Sequence, residues 1–72
     1  MIHDVDALIQ MQQKRLLSLA RELLPCLTAD DLLQPQDFPE LEYNPYFRYE
    51  EGVLAGLLSA RMALLARASL LN

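Results

Sequence analysis

The chain has 72 residues, six Lys or Arg against ten Asp or Glu, a formal charge of −4 and 53% hydrophobic composition, which fits one globular domain. A single His (His3), a single Cys (Cys26), two Gly and no Trp do not furnish a disulfide framework, a Cys/His zinc site or a glycine-rich phosphate loop. A pI near 4.6 also argues against a nucleic-acid binder, whose affinity rests on Lys and Arg neutralising phosphate. No catalytic residues, cofactor, metal or small-molecule substrate are expected.

Seventeen Leu, eight Ala and three Met stand against five β-branched residues (Ile2, Val5, Ile9, Thr28, Val53), a balance that favours helix over strand. Below roughly 70–80 residues one core rarely supplies more than about 3–5 kcal/mol, so small chains recruit disulfides, metals or further subunits. With the first two routes closed, a further subunit is the expected one. The segment Met1–Asp6 is acidic and has no long apolar stretch, so no secretory leader is read there and a cytoplasmic location is expected.

Charge divides the chain into three parts: 1–24 is neutral, 25–51 carries seven acids and one base, and 52–72 carries two bases. In the first part, Val5, Ile9, Gln12, Leu16, Leu19 and Leu23 recur at alternating spacings of three and four, a heptad seam that predicts a helix from about Asp4 to Leu24. Gln12 is the one polar member. It is read as lying at the seam's edge and reaching water; the sharper alternative is a buried amide that fixes register. Lys14, Arg15 and Arg21 are too few to form a DNA-reading face.

All four prolines fall between positions 25 and 45, which predicts a connector over 25–44. Thr28-Ala29-Asp30-Asp31 resembles a capping box with Asp for the usual Glu, so a short helix is expected from about Ala29 to Gln34, its Leu32 and Leu33 packing on the end of the long helices. Cys26 reads as a small buried hydrophobe and His3 as a mobile terminal residue. Every aromatic (Phe38, Tyr43, Tyr46, Phe47, Tyr49) lies within twelve residues, interleaved with acids. One reading is a plug in which Phe38 and Phe47 close the open end of the helices while the tyrosines keep their hydroxyls wet. The other is a recognition patch for a basic partner surface, with Phe38, Tyr43, Tyr46 and Tyr49 as contacts.

Asn44-Pro45 pairs an N-cap with proline at the first helical position and predicts a second long helix from about Pro45 to Leu71. Gly52, Gly56 and Ala60 collect on a small-residue side, read as packing against the first helix. Leu54, Leu57, Leu58, Met62 and Leu65 collect on the opposite side, read with Arg61 as an oligomer interface. Arg61 is expected to lay its stem over that face with its head in water, or to meet a carboxylate from the connector or a neighbouring subunit. The segment Val53–Leu71 is apolar enough to raise a membrane span, but Arg61 near its centre opposes insertion, and no membrane partner is expected.

The expectation is therefore an all-α protein: an antiparallel two-helix hairpin with a short helical turn in its connector, two copies of which unite as a four-helix bundle. The expected function is a non-catalytic protein–protein interaction module, a homodimeric adaptor or assembly factor. The alternative is an obligate small subunit or co-chaperone that folds on a larger helical partner.

Overall fold

In the computed structural model, which describes residues 1–71, the chain is all-helical and the described residues contain no strand. There are three α-helices, α1 (Ile2–Leu23), α2 (Pro39–Glu42) and α3 (Pro45–Leu71), and two 3-10 turns at Asp30–Leu33 and Pro35–Asp37 lie between α1 and α2. The two long helices pack side by side. Gln12 meets Glu50 and Asp6 meets Arg61, so residue numbers rise along one helix as they fall along the other.

On α1 the buried positions are Ile9, Gln12, Leu16 and Ala20, successive turns of one stripe. The stripe drifts from the heptad reading: Val5 and Leu19 are half-buried and Leu23 is exposed, while Ala20 is completely covered. A methyl group at this position is compatible with the close approach of the bulky Phe47 and Leu41, which share its cluster. The helix also starts earlier than expected and takes His3 into its first turn. It ends where Leu24, in an extended conformation at φ −135°, precedes Pro25, whose ring disfavours helical geometry in the preceding residue. Cys26 is exposed rather than buried, because Leu27 supplies the side chain that turns inward.

The capping box forms. The Asp31 backbone N–H donates to Thr28 Oγ1 at 3.3 Å and the Thr28 N–H donates to Asp31 Oδ2 at 2.9 Å. Of the two leucines that follow, Leu32 packs against the core and Leu33 is exposed, since a single turn has one inward side. The rest of the connector is more ordered than a broken loop. Pro35, Pro39 and Pro45 each occupy the start of a helical segment, where a missing N–H costs nothing and the fixed φ is already helical. Asn44 caps α3 by accepting the Phe47 N–H on Oδ1 at 2.9 Å.

These devices place the core at the connector end. Leu16, Ala20, Leu27, Leu41 and Phe47 form its buried cluster, with Leu19, Leu24, Leu32, Phe38 and Leu54 packed around it. Towards the other end only Ile9 and Gln12 are buried, and the molecule is an elongated body of 45 × 19 × 18 Å. Its radius of gyration is 14.2 Å, against about 11 Å for a compact chain of this length.

Candidate functional site

The residues singled out by sequence fall into three groups. The first lies along the α1–α3 seam. Gln12 is buried at 8% exposure instead of reaching water; its Nε2 donates to the Glu50 backbone carbonyl at 2.9 Å and to the Glu50 carboxylate. Arg15 stands 3.8 Å from the other Glu50 oxygen. Every side-chain nitrogen or oxygen fully shielded from solvent among the described residues has a partner, and the one amide in the stripe ties the register of the two helices.

A second polar tie lies towards the open end. Arg61 Nε donates to Asp6 Oδ1 at 2.6 Å, both side chains being about two-fifths exposed. The carboxylate comes from α1, not from the connector or a neighbouring subunit, because the opposed helices bring position 6 level with position 61. Arg61 therefore faces α1, and so does Leu54, which packs on the core. Leu54 is thereby turned inward, while Arg61 keeps about two-fifths of its side chain exposed.

The small-residue side does not pack against α1. A Cβ built on Gly52 or Gly56 meets nothing within 4 Å, and Ala60 is exposed. The seam on α3 is instead formed by Phe47, Glu50, Leu54, Leu57, Arg61 and Leu64, all buried or half-buried. Large side chains fill this contact because packing the small-residue side on α1 would have left the leucines in water.

The expected Leu/Met face is thereby divided. Leu57 turns to one flank, where it shares a shallow groove of about 310 Å³ with Leu8, Met11 and Val53, beside Gln12 and Arg15. Leu58, Met62 and Leu65 stay exposed at 42%, 71% and 43%; at about 100° per residue they lie around the opposite side of α3 from Val53. Of the aromatic cluster, Phe47 is fully buried and Phe38 half-buried, whereas Tyr43, Tyr46 and Tyr49 are at least 70% exposed. Tyr46 and Tyr49 line a second cleft with Arg15, Ser18, Leu19, Glu22 and Glu50, in line with the groove and meeting it at Arg15. Leu8 and Met11 are residues that the sequence reading missed. They lie off the heptad seam of α1, and only the placement of Val53 and Leu57 beside them gives them a role.

Two further observations bear on chemistry. No group of three or more His, Cys, Asp or Glu side chains able to hold a metal ion occurs among the described residues. By length and composition α3 is apolar enough to cross a membrane over Pro45–Leu70, at a mean hydropathy of 1.5. The Asp6–Arg61 pair links the second half of that helix to α1.

The accessible surface is 5477 Å², whereas a compact monomer of 8.2 kDa exposes about 4500 Å². The excess, about 950 Å², goes with a body of 45 × 19 × 18 Å, in which few side chains are covered from more than one direction. No family model matches the chain, and neither a curated protein nor a solved structure shows significant similarity to it.

Proposed function

We propose that this protein is a non-catalytic protein–protein interaction module, a small homodimeric adaptor or assembly factor. In this reading the opposed long helices form an antiparallel hairpin, and two hairpins unite as a four-helix bundle. The excess surface carries the proposal. A chain with so few buried apolar side chains, and with Leu8, Met11, Leu58, Met62 and Leu65 in water, sits at the margin of stability that one core of this size supplies. Each apolar Å² covered by a partner contributes about 25 cal/mol, against an association cost of several kcal/mol in lost translational and side-chain freedom.

The tyrosines Tyr43, Tyr46 and Tyr49 then serve as contacts to a further protein, and the acids around them select a basic surface. Light scattering during size-exclusion chromatography tests the proposal: a helical dimer supports it, and a stable, fully helical monomer at high concentration refutes it.

A second reading rests on the same surface. The chain is an obligate small subunit, or a co-chaperone, whose α3 is received by a larger helical protein. A poorly helical monomer with low-temperature, non-cooperative melting favours this reading over the first.

A further inference from the structure

We infer that the hairpin opens in two stages: the half beyond the Gln12–Glu50 tie parts while the connector-end core stays folded, with the Asp6–Arg61 ion pair as its salt-sensitive latch. Such opening belongs to the single chain and does not depend on self-association.

Burial is divided unequally along the two long helices. Leu16, Ala20, Leu27, Leu41 and Phe47, which form the buried cluster, all lie on the connector side of Gln12 and Glu50. Beyond that tie Ile9 alone is buried on α1, and on α3 none of positions 51–70 is buried. Val5, Asp6, Leu57, Arg61 and Leu64 are half-buried there. A stretch held by few buried apolar contacts opens at a lower free energy than the core and as a unit of its own. Helical segments of this length are marginal in water without a packed partner, so their backbone hydrogen bonds fray once the two halves part.

The latch is the directional contact in that half. Arg61 Nε donates to Asp6 Oδ1 at 2.6 Å across 55 positions of chain, with 41% and 40% of the two side chains exposed. Among the described residues, the Met1–Asp4 and Arg48–Glu51 pairs are local in sequence, and Arg15–Glu50 lies beside the Gln12 tie. Asp6–Arg61 is therefore the charge pair that joins α1 to α3 in the far half. Pairs this exposed are weakened by salt. Where apolar burial is thin, ionic strength then sets how often the halves part, and parting uncovers Val5, Ile9 and Leu64 without disturbing Phe47.

Native-state hydrogen exchange of the full chain at one fixed dilute concentration, read by mass spectrometry of peptides and corrected for intrinsic rates, tests both stages. In Asp6→Asn and in Arg61→Gln the amides of 6–10 and 58–66 are expected to exchange about threefold faster than in the parent. Those of 16–20 and 49–54 are expected to stay within about 1.5-fold. In the unaltered chain, raising sodium chloride from about 0.05 M to about 0.5 M is expected to speed exchange in the far half about twofold. In the Asp6→Asn/Arg61→Gln double variant the same change of salt is expected to have no effect. Should a variant fail to fold, the salt response of the unaltered chain decides.

Faster exchange spread equally over both ends of the hairpin would show one cooperative unit and overturn the two-stage opening. Unchanged exchange in the far half of the variants, or far-half exchange in the parent that ignores salt, overturns the latch.

Discussion

Phe47 is the side chain on which the folded state depends most, and replacing it gives a quantitative test of the core. Its ring is completely buried and shares a cluster with Leu16, Ala20, Leu27 and Leu41. Truncating a buried Phe to Ala costs about 3–5 kcal/mol, as transfer free energy plus the cavity left behind. That equals the whole stability of about 3–5 kcal/mol available to one core of this size. Phe47→Ala is therefore expected to lose cooperative folding at 25 °C unless association compensates. Phe47→Leu costs about 1–2 kcal/mol and stays folded, with Tm lowered by roughly 5–15 °C. Circular dichroism at 222 nm, recorded during heating at one fixed protein concentration, reads both. Tyr46→Ala, at a side chain 75% exposed, is the control and stays within about 0.5 kcal/mol of the parent. A Phe47→Ala variant that melts cooperatively within a few degrees of the parent would refute the placement of the core at the connector end.

Other positions give tests of different sign. Gly52→Ala and Gly56→Ala stabilise by about 0.5–1 kcal/mol each, since each sits inside a helix with open space where the methyl goes; destabilisation in urea melts would show that a close neighbour occupies that side. Asn44→Ala removes the acceptor for the Phe47 N–H and costs about 1 kcal/mol by chemical denaturation, whereas an unchanged midpoint would mean the cap is idle. A double-mutant cycle on Gln12→Ala and Glu50→Ala yields a coupling of about 1–2 kcal/mol, and additive effects would place the seam's amide elsewhere. In flotation with neutral lipid vesicles the folded protein stays in the dense fraction; co-flotation with retained α3 helicity would make the bilayer the occupant of its apolar surface.

What could be read from the sequence was local. Periodicity and caps locate the two long helices, and Thr28 with Asp31 and Asn44 with Phe47 make the hydrogen bonds that their spacing implies. The segments at Pro35 and Pro39 are not among the expected elements, because of the four prolines only Pro45, behind its Asn44 cap, reads as a helix start from sequence. A proline followed by acids, as in Pro35-Gln36-Asp37 and Pro39-Glu40-Leu41-Glu42, also marks a helix start.

The orientation of α3 was beyond a wheel diagram. That helix is apolar on most of its circumference, so hydrophobicity alone does not say which side meets α1. Orientation is tied by Gln12 to Glu50 and Asp6 to Arg61, pairs separated by 38 and 55 positions, and by the bulk of Phe47. Those ties turn Gly52 and Gly56 to solvent and split the leucine face, with Leu54 and Leu57 half-buried and Leu58, Met62 and Leu65 exposed.

The central proposal is that a second copy of this chain covers its exposed apolar surface. Its most direct test is the molar mass of the unmodified chain by sedimentation equilibrium from micromolar to millimolar concentration. The account predicts a mass rising from 8.2 kDa to about twice that value as association completes. A helical, cooperatively melting species that stays at 8.2 kDa throughout the range would contradict it.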